Sequence, residues 1–372
     1  MSSNTDINLL ANLRKQIKAI SPVLPDKAVV SVGQYTLETL IDSPKINEED
    51  VYTLLRVIHK KDLQHKTVDI EPRKSLVADT LYEPHYWFDM AKYLDRINID
   101  SELGKLVYGY HKEVMSLSNI SEGSSSGLLP EIHRYLADQE KSTIGIALFP
   151  AMNHSSDALY NAFSTVGRIL IDNSTSLILI DQGMMEAYKG VHRAGDVLED
   201  TKIIDYFVDM LLDKDNIIRE LYRLSKSYGV KIYSPLIATG CSLDIYDNFR
   251  NILEITLEQP LMKFDLTTAK MVYVLVRAPL SYQDDFQKGQ LEFEVTQWLQ
   301  DSIGIDIPQI CEPLFVDEYG DRVDVIILVG DYDTDKKFSK IYERIERFSK
   351  MNVEQELVDD EKWEKIKTIM LG

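Results

Sequence analysis

The sequence predicts an α/β protein in which a doubly wound parallel sheet is followed by a long central helix and a second, smaller α/β domain. Three observations carry this. Short β-rich apolar runs alternate with stretches whose apolar residues recur at spacings of three and four, as in strands buried on both faces and helices laid over them. The texture changes after about residue 260, where the strong strands "KMVYVLVRAPL" and "RVDVIILVGDYD" flank the helical "GQLEFEVTQWLQDSIG". Finally, "SNISEGSSSGLLPEIHRYL" (118–136) places small residues where an apolar run hands over to a helix, the edge at which ligands sit in such sheets.

Along the chain, "INLLANLRKQIKAI" has apolar positions 7, 10, 13, 17 and 20 with basic residues between them. It reads as a helix docked on the protein body or on a neighbouring subunit, in preference to a membrane-surface anchor. Strands are expected at 27–33, 67–72, 113–120, 143–150, 175–181 and 229–236, and helices at "LLPEIHRYLADQ" and "DALYNAFSTVGRIL". "DNIIRELYRLSKSYG" reads as a long amphipathic helix leading to a loop that carries Ser242, Asp244 and Asp247. "DKKFSKIYERIERFSKM" and "DEKWEKIKTIM" close the chain as charged amphipathic helices that cover the surface.

Composition narrows the function. With 372 residues and 44% apolar content the chain can bury a large core, and two domains are expected. No apolar run reaches membrane-spanning length and no signal-peptide core is visible, so a soluble, cytoplasmic protein is expected. Its 2 cysteines, Cys241 and Cys311, make neither a disulfide framework nor a zinc spacing. A formal charge of −19 argues against a nucleic-acid partner, which needs clustered Lys and Arg. The 7 histidines show no paired ligand spacing, so no metal beyond magnesium is expected.

The serine stretch poses the functional question, because Gly123 and Gly127 bracket Ser124, Ser125 and Ser126. Small residues before a helix let backbone N–H groups approach an anion, and the ordinary alternative is a solvated loop. Asp244 and Asp247 have an ordinary reading as a helix cap and a carboxylate matched to the helix dipole. Asp69 and Glu71 read equally as polar strand-end residues before Pro72, and Asn216 as a helix cap.

Taken colinearly over most of residues 27–331, these segments resemble the tubulin/FtsZ superfamily of filament-forming GTPases. Ser121 to Gly127 match the family's G-G-G-T-G-S-G phosphate loop, and "FPAMNHSSDALYNAF" its ribose-contacting loop. "CSLDIYD" resembles the acidic loop that reaches the next subunit's nucleotide, "TVDIEP" the stretch near magnesium, and "AVVSVGQYTLETLID" the opening strand with Gly33 and Gln34 retained. The resemblance implies GTP or GDP held by Gly33, Gln34, Gly123, Ser124, Ser125, Ser126, Gly127, Asp157 and Asn216. It further implies Mg2+ near Asp69 and Glu71, and hydrolysis completed by Asp244 and Asp247 of a neighbouring copy.

The implied layout is an N-terminal extension over 1–26, a nucleotide-binding domain over 27–215, a central helix and connector over 216–240, an activation-type domain over 241–335 and terminal helices over 336–372. Departures from the pattern are Tyr35 in the first loop, Glu122 in the cradle, a shortened third loop and Ser242 in place of Asn. Two classes of function follow. One is a GTP-hydrolysing protein that polymerises head to tail; the other is a non-hydrolysing member that serves as a scaffold or regulates a fuller tubulin/FtsZ-like relative.

Overall fold

The structure, a computed structural model, describes residues 25–41, 43–46, 51–61, 74–172, 175–199, 202–316, 320–331 and 333–372. The first half supplies β1 (Lys27–Val32), α1 (Gln34–Leu40), β2 (Tyr52–His59), β3 (Ser75–Ala78), α2 (Trp87–Leu94), α3 (Ile99–Leu106), β4 (Glu113–Asn119), α4 (Gly123–Asp138), β5 (Ser142–Phe149), α5 (Ser156–Asp172) and β6 (Ser176–Asp181). Next come α6 (Gln182–Ala187), the short pair β7 (Gly190–Val191) and β8 (Val197–Leu198), α7 (Ile203–Leu212), α8 (Ile217–Tyr228) and β9 (Ile232–Ser242). The remainder is α9 (Leu243–Tyr246), α10 (Phe249–Glu258), β10 (Met271–Pro279), α11 (Lys288–Trp298), β11 (Gln309–Val316), β12 (Arg322–Gly330), α12 (Asp335–Glu354) and α13 (Asp360–Leu371).

Among the described residues, one 10-stranded sheet runs in the order β11-β10-β12-β9-β6-β5-β4-β1-β2-β3. The strands from β3 to β6 are mutually parallel, and β9 continues parallel beside β6, with Leu177 opposite Ile232. β12 is antiparallel to both β9 and β10, and β11 closes the edge parallel to β10. Alternation of side chains sends the strands' residues into two cores. Ala28, Val30 and Val32 enter one, whereas Val29, Ile144, Ile146 and Leu148 enter the other. A sheet buried on both faces explains why its strands read as continuous apolar runs.

The terminal helices α12 and α13 cover α5, where Tyr160 meets Trp363 at 5.3 Å between ring centroids and a side chain at Gly167 would strike Ile366. No helix of the described residues is long and apolar enough to cross a membrane.

Several sequence expectations change. The stretch 123–127 is not a loop: it forms the first turns of α4. Pro130 sits inside this helix without an N–H to give, and the carbonyl of Ser126, which would have received it, accepts the Thr165 hydroxyl at 3.1 Å instead. The segment 216–240 contains a helix of only 12 residues, and the strand expected to end at 236 runs on to Ser242. Pro235 does not interrupt it, because pairing with β6 ends at Tyr233 and no ladder bond to that neighbour is lost. Strands 52–59, 75–78 and 309–316 were not anticipated. The expected strand over 67–72 and the N-terminal helix positions 7 to 20 lie outside the described residues.

Candidate functional site

A cavity of about 680 Å³ opens at the carboxyl edge of β1, β4 and β5. Its walls come from the segments that follow those strands: Gln34, Tyr35 and Glu38; Ser121, Glu122, Gly123 and Ser124; Ser155, Asp157 and Ala158. Glu83, Pro84, His85 and Asn161 complete it. The starts of α4 and α5 both face this space, and the first N–H groups of a helix have no partner within the helix. The cavity is thus lined with donors suited to an anion.

Gly33 makes the narrowest turn of the site, with φ 98 and ψ 164, a region reserved for glycine. A Cβ there would sit 2.6 Å from the Ser125 hydroxyl, so the β1–α1 turn rests directly on the start of α4. Gly123 and Gly127 do different work from the one the sequence suggested. A Cβ on Gly123 would lie 2.6 Å from the Pro84 carbonyl oxygen, and one on Gly127 2.4 Å from the Met90 Cβ. Both glycines let the 84–90 segment pack on α4, and of the two only Gly123 also lines the cavity.

Ser125 and Ser126 are buried, and the Ser126 hydroxyl donates to the Ile120 carbonyl at 2.7 Å. Of the anticipated cradle, Ser124 and Gly123 face the cavity together with Gln34 and Asp157, while Ser125, Ser126 and Gly127 stand behind it. Glu122 lies over the first turn of α4, accepting from Asn119 Nδ2 at 3.2 Å and from the Ser125 hydroxyl at 3.4 Å. It contributes a carboxylate at the helix start, where negative charge is favoured.

Asp157 is held by the Tyr86 hydroxyl at 3.3 Å and by His85 Nε2 at 3.2 Å. Burial, reinforced by Asp157, raises the Tyr86 phenol above its ordinary pKa. Asn161, whose role the sequence reading missed, joins three walls. Its amide donates to the carbonyls of His85 and Ser121 at 3.0 and 3.1 Å and accepts from the Trp87 N–H at 3.0 Å. The signal was present in "SSDALYNAF", where an Asn stands among apolar residues on an inward helix face.

Three predicted site residues lie elsewhere. Asn216 precedes α8, whose Arg219 pairs with Glu113, the first residue of β4, at 2.6 Å. The preceding Leu212 carbonyl accepts from Tyr52, the first residue of β2. The 213–216 connector therefore lies at the amino edge of the sheet. The length of β4, about 20 Å at ~3.3 Å per residue, separates it from the cavity. Asn216 consequently cannot face a ligand held in its own chain's cavity.

Asp244 and Asp247 follow the carboxyl end of β9, which runs parallel to β6, so they leave the sheet at the cavity's own edge. The expectation that they sit on the opposite end, ready to serve a stacked neighbour, is overturned by that strand direction. At the amino edge, Asp215 and Glu220 instead stand beside Lys214, Arg219 and Arg223 around a second cavity of about 500 Å³. Asp69 and Glu71 lie outside the described residues, among which no group of three potential metal ligands occurs.

A nucleotide's phosphates fit the helix starts and the free volume, but the cavity's charged residues are Glu38, Glu83, Glu122 and Asp157, with no Lys or Arg among them. A polyphosphate would fit there only together with a cation.

The parallel sheet and its antiparallel continuation through β12 define a doubly wound α/β fold with a ligand-sized cavity at its carboxyl edge. More particularly, the fold is similar to that of solved CetZ and FtsZ structures. CetZ1 from Haloferax volcanii, a GDP-bound monomer, superposes with a TM-score of 0.67 at 14% identity, covering 86% of this chain and 99% of that one. CetZ2 of the same organism, a GTPγS-bound protofilament, gives 0.65 at 15% identity over 88% and 99%. The empty FtsZ dimer of M. jannaschii gives 0.57 at 12% identity over 88% and 92%. No family model and no curated protein matches the sequence.

Proposed function

We propose that this chain is a self-assembling cytoskeletal protein of the tubulin/FtsZ type, stacking head to tail in the cytoplasm with guanine nucleotide in the cavity at each junction. The observation that supports this best is that α4 and α5 both begin at one cavity of about 680 Å³ on the carboxyl edge. Gln34, Gly123 and Ser124 border the phosphates in this reading, and Asp157 the sugar. A divalent cation offsets the four carboxylates, with Asp69 and Glu71 as its proposed ligands. The bound nucleotide supplies a hydrolysable anhydride.

Stacking carboxyl edge on amino edge is a heterologous contact that need not close. It brings the neighbour's Asp215, Glu220 and Arg223 over the cavity, where carboxylates order water and a guanidinium attracts phosphate. Asp215 and Glu220 thus take the part that the family resemblance implied for Asp244 and Asp247.

The presence of Glu122 at the start of α4 favours a second reading, a non-hydrolysing scaffold or regulator of a fuller relative. Chromatography of bound nucleotide and light scattering on adding GTP with Mg2+ separate the two. Scattering that requires GTP supports the first, and assembly that ignores nucleotide supports the second. Under the first reading, Asp215→Ala with Glu220→Gln should keep nucleotide binding and lower turnover on the order of 100- to 1000-fold.

A further inference from the structure

A third cavity, of about 500 Å³, lies across the 150–155 loop from the first, among Met152, Lys263, Phe264, Lys336, Lys337 and Lys340, with Asp265 and Asp333 at its rim. In a chain of net charge −19, four lysines around one cavity are out of keeping with their surroundings. Asp265 and Asp333 offset the lysines only in part, Asp265 lying within electrostatic reach of Lys336. Asp265 accepts the hydroxyl and N–H of Thr267 at 2.6 and 3.2 Å, and Asp333 accepts the N–H of Asp335 at 2.9 Å. Lys337 is the floor. It pairs with Asp181, the last residue of β6, at 3.2 Å, and its ammonium lies 5.4 Å from the Phe264 ring centroid.

Lys263, Lys336 and Lys340 are exposed, and none has a hydrogen bond or ion pair among the described residues. With Lys337 paired to Asp181, two acids stand against three lysines, so the cavity keeps an excess of positive charge that a small polyanion would offset. The volume falls in the range of small-molecule sites, and half-exposed Met152 and Phe264 offer an apolar wall. The position, above the carboxyl end of β6, is where ligands of such sheets gather.

We propose that this lysine cavity binds a small polyanion with an apolar or aromatic body, held by Lys263, Lys336 and Lys340 and packed on Phe264 and Met152. It is separate from the nucleotide cavity and does not depend on that reading. Phosphate and carboxylate share the required chemistry, and the probes distinguish them.

The test is calorimetric titration of the full chain with pyrophosphate, phenyl phosphate and benzene-1,3,5-tricarboxylate, with circular dichroism confirming each variant's fold. Saturable binding is expected for at least one probe. It should weaken about fivefold for each of Lys336→Gln and Lys340→Gln, the effect of one charge at ~4 Å in a water-like dielectric. Phe264→Ala should weaken the aromatic probes more than pyrophosphate. The proposal is overturned if no probe saturates, or if Lys336→Gln with Lys340→Gln binds as tightly as the parent. Binding of a polyglutamate peptide but of none of the three probes also overturns it, in favour of a macromolecular partner.

Discussion

Glu122 offers a single perturbation with two readouts of opposite sign. Its carboxylate stands beside Ser125 and Asn119 at the first turn of α4, where a bound phosphate would accept N–H groups. At ~4 Å the repulsion between two unit charges is about 1 kcal/mol in a water-like dielectric and about 4 kcal/mol at an effective dielectric of ~20. Glu122 is exposed, so the lower end is the better guide. Glu122→Gln should therefore strengthen binding of a nucleotide by about fivefold or more. The same change removes a carboxylate from a helix start, where it contributes roughly 0.3 to 1 kcal/mol, so the variant should unfold slightly more easily.

Fluorescent-nucleotide titration at fixed Mg2+ and urea unfolding give the two numbers on the same preparations. Tighter binding with lower stability is the expected pair. Unchanged or weaker binding in a folded variant refutes the reasoning, because the carboxylate would then be either remote from the ligand or a part of its seat.

Other consequences lie in the core. Asp324, fully buried, accepts from Arg277 Nε and Nη2 at 2.9 and 2.7 Å, from Tyr206 at 2.9 Å and from the Gly240 N–H at 2.7 Å. Asp324→Ala leaves a buried guanidinium with Asp213 alone and should cost about 3 to 5 kcal/mol in urea unfolding; a loss below about 1 kcal/mol would show that the network contributes little. Gly127→Val should destabilise the fold by several kcal/mol, since its side chain meets Met90 Cβ and the Trp87 carbonyl; full stability with lost nucleotide binding would restore the cradle role for this glycine. Burial lowers His133 to about 3 and His111, helped by Lys141, to about 4. Both folded values lie below the unfolded value near 6.5, so the unfolded chain takes up protons first. The stability they contribute is complete above about pH 6.5 and falls as pH drops, by roughly 2.7 kcal/mol per pH unit for the pair. His133→Gln should about halve that slope between pH 6.5 and 5, and a slope the substitution does not alter counts against the assignment.

The strands of the first half were legible because burial on both faces leaves an unbroken apolar run, as in "EVMSLSNI" and "TIGIALFP". Strand 309–316 was not, because "QICEPLFV" carries Glu312 and Pro313 at an edge, where one side of the ladder is open. The cavity was legible in part. Gln34, Gly123, Ser124 and Asp157 follow β1, β4 and β5, whose carboxyl ends any reading of a parallel sheet brings together. Asn216, Asp244 and Asp247 depended on which end of the sheet each connector occupies. That is decided by the direction of β9; the strand expected at 229–236 ended short of its carboxyl end, leaving Ser242, Asp244 and Asp247 in a loop with no fixed end of the sheet.

Strand direction also bears on how copies of the chain would meet. The carboxyl edge carries the cavity with Glu38, Glu83, Glu122 and Asp157, and the amino edge carries α8 with Arg219 and Arg223 on its exposed face. Arg219 is engaged by Glu113, whereas Arg223 has no partner among the described residues. In a head-to-tail stack without nucleotide, Arg223 would meet carboxylates; with nucleotide, it would meet phosphate. Nucleotide would then set the strength of the junction, and in the proposed reading only the nucleotide-filled junction is strong enough to assemble. Arg223→Glu separates the cases, because it places a fifth acid against either surface. Loss of GTP-dependent assembly supports stacking through these edges, and assembly that is indifferent to the substitution would place the contact on another face.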